Sequence, residues 1–345
     1  MRLYAIGGML WIMTLPLQAE SNVNSKVKQL PGLSAEEKIP VLASLVKDNQ
    51  KRIPHNAIAY GREALVLLNL YPNDKLKFKI FCGISNAYIR LGKHTDALAF
   101  AERSKQLAEQ MQNRPLLSRA FSLISLVQRL SGRLDHALAA GLQAYRLDED
   151  STNCENDLNL GKDYRRLGSY KEALSYFYKA GDCEKQQFDL LAQADVYGEI
   201  GLIYRELNNF ANGLLHQKNA LDIARKEGDE SRQARYLNHL GDLYEAMGDP
   251  TKSLEHQFKA LKIHTRLEDN AGIAKSKNHI GRNYLQKEKY GLALDNLNQA
   301  YSLASTLDNK SLALSVQLNR SEVFSKLRQF NNAASGAYRV LKVAE

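Results

Sequence analysis

A small residue recurs along this chain at a nearly constant interval, and this spacing constrains the fold more than any other feature. The positions are Ala57, Ala97, Ala137, Ala173, Gly213, Ser253, Ala293 and Ala333. Successive positions are 40 residues apart, except for one step of 36. Such regular spacing does not arise by chance, and a period of this length is typical of proteins built from stacked copies of one supersecondary unit.

Each copy has the pattern of two helices joined by a turn. In residues 234–273, two apolar stripes at helical spacing flank the turn signal Met247-Gly248-Asp249-Pro250. The stripes consist of Leu237, Leu240 and Tyr244, then of Leu254, Phe258 and Leu261. Because a two-helix unit cannot bury its apolar face alone, the copies are expected to stack. The sequence therefore predicts an all-α fold, a right-handed superhelical solenoid of about eight helical hairpins.

Two residue types recur inside the first helix of the copies. Glycine costs about 1 kcal/mol against alanine in a helix interior, so Gly201, Gly241 and Gly281 indicate a neighbouring helix too close for a side chain. An aromatic residue follows three positions later and is expected to fill the space between the paired helices. These aromatic residues are Tyr88, Tyr164, Tyr204, Tyr244, Tyr284 and Phe324.

The pattern resembles the tetratricopeptide repeat (TPR) family. In one copy the motif residues are Leu160, Gly161, Tyr164, Gly168, Tyr170, Ala173, Phe177 and Ala180. The resemblance runs from about Ile39 to the end and is weakest in the first, second and eighth copies. The family repeat is about 34 residues long, whereas this one is mostly 40. The longer form is similar to the arrays of kinesin light chains and Gram-positive peptide-sensing regulators, and to extracytoplasmic input regions of sensor kinases and diguanylate cyclases.

The first nineteen residues have the pattern of a secretory signal peptide. Arg2 precedes an apolar stretch, Pro16 breaks it, and Ala19 supplies a small residue at its end. The alternative is an uncleaved anchor, but spanning a bilayer takes about 20 apolar residues. The sequence thus predicts export to the periplasm or the medium, with no membrane span after removal of the signal. The expected organisation is a signal peptide at 1–19, an N-terminal segment at 20–37 and a TPR array at 38–345, with units at about 38–77, 78–117, 118–153, 154–193, 194–233, 234–273, 274–313 and 314–345.

The family resemblance implies a binding groove lined by the first helix of each copy. In units two to five, the positions that line the groove in the family hold seven basic and three acidic residues. The basic residues are Arg90, Arg119, Arg129, Lys162, Arg165, Arg166 and Arg205, and the acidic residues are Glu155, Asp195 and Glu206. Units six to eight hold four basic residues against three acidic ones, namely Arg235, Lys275, Arg282 and Lys326 against Asp242, Glu245 and Glu322. This balance favours an acidic peptide or a chain-terminal carboxylate. The alternative is that a chain of net charge +9 scatters Arg over every solvated face.

Asparagine also recurs at groove positions, as Asn159, Asn238, Asn278 and Asn319. A side-chain amide both donates and accepts hydrogen bonds, so it can pair with an extended peptide backbone without reading its sequence. Related arrays use an Asn ladder in this way, and the resemblance implies the same role here. The alternative is an Asn that closes a hydrogen bond between neighbouring repeats.

The three cysteines permit one structural expectation. Cys154 precedes the first helix of the fourth unit and Cys183 follows its second helix, and these two ends lie side by side in an antiparallel hairpin. In an oxidising compartment the two residues are expected to form a disulfide, with Cys82 left as a lone thiol. Two unpaired thiols on separate loops are the alternative.

No motif for catalysis, a cofactor or a metal was recognised. The histidines recur because the unit recurs, as with His239 and His279, and none forms a ligand pair at helical spacing. The groove positions lack stacking aromatics, which disfavours nucleic acid. The sequence therefore predicts a non-catalytic scaffold that binds a protein or peptide segment. The alternatives are a sensory input region whose output domain is absent and, from another class, an enzyme with an unrecognised site. The last hairpin lacks a capping helix, so we expect either that a partner or a second copy covers it or that the chain is a fragment of a longer protein.

Overall fold

The structure is a computed structural model that describes residues 23–50, 53–148, 154–187, 189–307 and 309–344. The signal peptide predicted at residues 1–19 lies outside the described residues. The described helices form two compact units, which divide between Arg133 and Leu134. We refer to them as the N-terminal unit and the C-terminal unit, and each is described by itself.

The N-terminal unit consists of helices only. A helical segment at residues 23–29 and a 3-10 turn at Leu30–Gly32 precede five α-helices. These are α1 (Ala35–Asn49), α2 (Pro54–Leu67), α3 (Asp74–Arg90), α4 (His94–Gln110) and α5 (Arg114–Leu130). Helices α1 and α2 form one hairpin, α3 and α4 form the next, and α5 packs against α4.

The C-terminal unit continues with eleven α-helices in its described residues. They are α6 (Leu134–Leu147), α7 (Cys154–Arg166), α8 (Tyr170–Gln187), α9 (Leu190–Glu206), α10 (Phe210–Lys226), α11 (Glu230–Ala246), α12 (Pro250–Arg266), α13 (Asn270–Gln286), α14 (Tyr290–Thr306), α15 (Lys310–Lys326) and α16 (Phe330–Ala344). From α7 onward, each odd-numbered helix pairs with the next as an antiparallel hairpin. The described residues contain no strand, so the prediction of an all-α fold of repeated helical hairpins is confirmed.

The helix ends follow the turn signals of the sequence. The side chain of Asp249 accepts a hydrogen bond from the backbone N–H of Lys252 (3.0 Å), which satisfies a free donor at the start of α12. Gly248 ends the preceding helix with φ +75°, in the left-handed region. At the equivalent position 40 residues later, Glu288 adopts φ +56°, so one turn geometry is kept even where the residue is not glycine.

The recurring glycines and aromatic residues pack as the sequence predicts. A Cβ added to Gly201 would lie 2.7 Å from Gln217, and one added to Gly281 would lie 2.6 Å from Leu297, both on the paired second helix. The rings of Tyr164 and Tyr176 stack across a hairpin with centroids 5.4 Å apart. The same contact recurs between Tyr204 and His216 and between Tyr244 and His256. Both interpretations are confirmed.

The packing order defines two layers within each unit. A second helix packs against its own first helix and against the first helix of the next hairpin. First helices also contact each other in succession: α1 with α3 and α3 with α5 in the N-terminal unit, and α7 to α15 in the C-terminal unit. We call the surface formed by these first helices the inner face. No helix in the described part of the chain is both long and apolar enough to cross a bilayer.

Candidate functional site

The inner face of the C-terminal unit carries ion pairs that link successive first helices. Arg165 Nε on α7 lies 3.2 Å from Glu199 Oε2 on α9. Arg205 Nη1 on α9 lies 3.5 Å from Asp242 Oδ2 on α11. Arg282 Nη2 on α13 lies 2.8 Å from Glu245 Oε1 on α11. Three arginines that the sequence assigns to a ligand are therefore paired with carboxylates of this chain.

Asp195 on α9 is the acceptor of the densest of these clusters. Arg232 donates to both of its carboxylate oxygens, the nearest contact being Nη2 to Oδ2 at 2.9 Å. Arg235 also donates to Asp195, and the hydroxyl of Tyr236 donates to its Oδ1 at 2.7 Å. Burial alone would raise the pKa of Asp195, but the hydrogen bond from Arg232 and the charge of Arg235 hold that pKa below its usual value. The carboxylate therefore remains ionised and joins α9 to α11.

Three residues from two hairpins lie close enough together that they could hold a metal ion. One ligand atom each from Asp242, Glu245 and His279 lies within 4.8 Å of the others, and Glu245 is buried. The sequence analysis missed this grouping, because the histidine comes from the next repeat and not from the same helix. Both carboxylates already have a cationic partner, Arg205 for Asp242 and Arg282 for Glu245. A divalent cation would have to compete with two fixed arginines, so we interpret the cluster as a link between repeats.

Burial and neighbouring charges shift the pKa values of the groups in this cluster. His279 Nδ1 lies 2.8 Å from Asp242 Oδ1. Burial opposes a charge on His279, but the carboxylate of Asp242 outweighs it and raises the pKa of the imidazole. Burial raises the pKa of Glu245. One repeat earlier, burial lowers the pKa of His239 to about 4, so the pKa values of equivalent histidines are shifted in opposite directions.

The asparagines of the inner face bond to other residues of this chain. Asn319 Nδ2 on α15 donates to Asn278 Oδ1 on α13 at 2.7 Å. Asn238 Oδ1 accepts from Ser276 Oγ at 3.1 Å. Asn238 and Asn278 are both buried, at 9% and 5% exposure, while Asn159 is half-buried on α7. These contacts are the ones expected of the structural alternative, and a role in peptide binding stays a prediction.

The N-terminal unit presents a different inner face. Arg90 on α3 and Arg119 on α5 are exposed, whereas Arg129 is buried at 8% exposure. The lone thiol of Cys82 is buried under this face, and burial raises its pKa to about 11 although the nearby charge of Arg119 opposes this shift. Lys162 and Arg166, the remaining predicted site residues, lie on α7 in the C-terminal unit.

A disulfide closes the first complete hairpin of the C-terminal unit. It joins Cys154 at the start of α7 to Cys183 near the end of α8, with Cα atoms 5.6 Å apart. The two ends of this antiparallel hairpin lie side by side, which is the geometry that the sequence analysis used to pair them. The crosslink ties the helix that begins the repeated ion pairs to its partner helix.

The helical repeats of this chain match a known family model. The family model described as tetratricopeptide repeat matches residues 76–150, 192–266 and 232–306, which together are more than half of the chain. The chain belongs to the tetratricopeptide repeat family. Helical repeats of this type are typical scaffolds of protein–protein interaction. No curated protein matches the sequence significantly.

Solved TPR structures share the fold at low sequence identity. A Rap protein complexed with competence and sporulation factor is 13% identical, with a TM-score of 0.62 over 90% of this chain and 98% of that one. The apo form of the quorum sensor NprR from B. thuringiensis is 15% identical, with a TM-score of 0.62 over 97% of both chains. A signal transduction ATPase with a TPR sensor from Pyrococcus horikoshii is 19% identical, with a TM-score of 0.58 over 90% of this chain and 47% of that one. At these identities the likeness shows the fold alone.

Proposed function

We propose that this TPR protein is a non-catalytic scaffold that binds a protein or peptide segment on the inner face of its hairpins. The observation that carries the proposal is the layered packing, which leaves one continuous side of each unit formed by first helices alone. Rigid stacked helices hold their side chains in fixed register, so a segment bound along them loses less freedom than one bound by loops. The proposed partner is acidic, because exposed cations such as Arg90 and Arg119 lie on this side.

The contacts of the inner face favour binding over chemistry. The titratable groups that a hydrolytic site would use, such as Asp195, Asp242 and His279, are held in contacts between successive helices. A general base must be within reach of a substrate proton, whereas Asp195 is held by Arg232 and Asp242 contacts His279. An enzyme with an unrecognised site remains the alternative from another class, and screening the purified protein for hydrolase activities tests it.

The proposal places the scaffold in the periplasm or the medium, on the pattern of residues 1–19. The expected mature chain begins at Glu20. Intact mass measurement of the exported protein checks this, and a mature form that still carries Met1 would contradict cleavage.

Photo-crosslinking tests the binding face directly. A photoreactive amino acid at Leu130 on α5, which is 41% exposed on the inner face, is expected to capture a protein partner in the exported compartment. The matched control is Leu215, which is 54% exposed on the second helix α10. Equal capture at both positions, or capture at Leu215 alone, would contradict the proposal.

A sensory input region is the second candidate function. It is favoured by the two structures of similar fold whose proteins are a quorum sensor and a signal transduction ATPase with a TPR sensor. The test is the reading frame beyond codon 345. A membrane helix followed by an output domain would support the sensory function, and a stop codon would remove it.

Self-association is the proposed role of the last described hairpin. Phe330 and Tyr338 on α16 are 64% and 66% exposed, and a patch that joins such side chains would favour contact with a second chain. Sedimentation of the purified protein is expected to show a dimer that Phe330→Glu dissociates. A monomer at high concentration would contradict this.

A further inference from the structure

The positive net charge of the chain comes from its N-terminal unit. Residues 1–133 contain 19 Lys and Arg against 9 Asp and Glu, an excess of ten. Residues 134–345 contain 28 Lys and Arg against 29 Asp and Glu. The net charge of +9 for the whole chain is therefore a property of one unit. A basic protein that scattered its charge evenly would not show this division.

Within the N-terminal unit, the excess is concentrated on the first helices α3 and α5. Together they carry seven basic residues and one acidic residue. The basic residues are Lys75, Lys77, Lys79, Arg90, Arg114, Arg119 and Arg129, and the acidic one is Asp74 at the first position of α3. In the C-terminal unit, the five first helices α7, α9, α11, α13 and α15 carry twelve basic residues against ten acidic ones.

Three of these cations share the inner face. Lys79 and Arg90 are eleven residues apart on α3, a separation that returns to the same side of a helix, and both are exposed. Helix α5 contacts α3, and the charge of Arg119 acts on Cys82, which lies three residues after Lys79 on α3. Among the described residues, no ion pair engages Lys79, Arg90 or Arg119. Their charges are therefore available to a ligand.

Apolar side chains lie between these cations. Ile89 precedes Arg90 on α3, and Leu126 and Leu130 follow Arg119 at helical spacing on α5. Ile89 and Leu126 are half-buried, and Leu130 is 41% exposed. A polyanion without apolar groups would leave this surface in water. A nucleic acid would in addition require aromatic rings for stacking, and the stripes from Lys79 to Arg90 and from Arg119 to Leu130 do not direct an aromatic residue to the inner face.

We propose that the inner face of the N-terminal unit recognises an acidic protein segment that also carries apolar side chains, and that Lys79, Arg90 and Arg119 bind its carboxylates. The inference rests on the proposed function and assigns it to one unit. Charge complementarity speeds the encounter with such a segment, and burial of its apolar side chains against Ile89, Leu126 and Leu130 supplies affinity that salt does not screen.

The test uses the full chain and a fluorescein-labelled peptide in which pairs of Glu alternate with Leu. The matched probe has Gln in place of Glu. Fluorescence anisotropy is expected to show binding of the Glu peptide, weakened by added NaCl, and much weaker binding of the Gln peptide. The variant with Arg90→Gln and Arg119→Gln is expected to bind the Glu peptide roughly tenfold more weakly, since two exposed ion pairs are lost. The control variant carries Lys259→Gln and Lys262→Gln on α12, where both lysines are exposed, and is expected to change affinity less than about twofold.

Several outcomes would overturn the inference. Equal loss in both variants would show attraction to net charge alone. Unchanged binding in the Arg90 and Arg119 variant would show that the carboxylates of the Glu peptide bind elsewhere on the protein. Tighter binding of single-stranded oligothymidine, or of phosphatidylglycerol vesicles, would assign the surface to nucleic acid or to membrane. Circular dichroism of both variants verifies that they are folded.

Failure of this inference is distinguishable from failure of the proposed function. A second photoreactive position, at Ala246, reports on the inner face of the C-terminal unit, because Ala246 is exposed at the end of the first helix α11. Capture of a protein there but not at Leu130 would preserve the scaffold function and remove the assignment to the N-terminal unit. Absence of capture at both positions would remove both.

Discussion

In the C-terminal unit, Arg165 and Arg205 each reach a carboxylate on the following first helix. In the N-terminal unit, Arg90 and Arg119 occupy the same inner layer with no such acid on α3 or α5 beyond Asp74. The hairpin geometry is common to both units, so the difference lies only in the side chains placed on it. The comparison shows that one scaffold can use the same surface positions either to join its own repeats or to attract a partner.

The largest expected effect concerns the crosslink of the C-terminal unit. Replacing Cys154 and Cys183 by Ser is expected to lower the free energy of unfolding by about 3 kcal/mol, because the open chain gains conformational entropy when unfolded. Native-state hydrogen exchange should show faster exchange in α7 and α8 and unchanged exchange in α3 and α4. A uniform change in both units would contradict the separation between them.

The second prediction compares the loss of a paired carboxylate in the C-terminal unit with the loss of a cation in the N-terminal unit. Asp195→Ala is expected to destabilise the protein by about 2–3 kcal/mol, since Arg232 and Arg235 lose their shared carboxylate in a partly buried site. The matched change in the N-terminal unit, Arg119→Ala, is expected to stay within about 0.5 kcal/mol. Urea unfolding measures both. Similar losses in the two variants would mean that the N-terminal cations also stabilise the fold.

A smaller effect is expected from the asparagine contacts. Asn278→Ala removes the acceptor of Asn319 and is expected to cost about 1 kcal/mol. Double replacement of Asn238 and Asn278 by Ala separates the two roles, because a structural role lowers the melting temperature and a binding role weakens crosslinking to a partner. Weakened capture with an unchanged melting temperature would support the peptide-binding role instead.

The smallest effect depends on one proton. The pKa of His279 is raised by Asp242 in the folded state, so its contribution to stability is present below the ordinary value of about 6.5 and is lost as the pH rises through the folded value. NMR titration should show His279 above that ordinary value and His239 below it, near 4. Asp242→Asn should lower the pKa of His279. An unchanged value would assign the shift to another group.

The sequence predicted the packing well because packing repeats. Gly281, Tyr244 and the turn at Gly248 recur at fixed positions, and each recurrence strengthens the prediction of the hairpin. The interactions of the inner face were not predicted to the same extent. Asp195 and Asp242 entered only as charges in a balance, because side-chain direction decides whether Arg205 meets an acid 37 residues away or points to solvent. The repeat spacing carries no sign of the division at Arg133, since the 40-residue step continues across it from Ala97 to Ala137.

The charge links also limit how this array could change by loss of a repeat. Removing residues 230–269 would delete one 40-residue copy and put Arg282 at the position now held by Asp242. Arg205 would then face another guanidinium where it now meets a carboxylate, and Arg282 would lose Glu245. Neighbouring hairpins of the C-terminal unit are thus matched to each other in order, and shortening by a whole copy would require compensating substitutions on both sides of the junction.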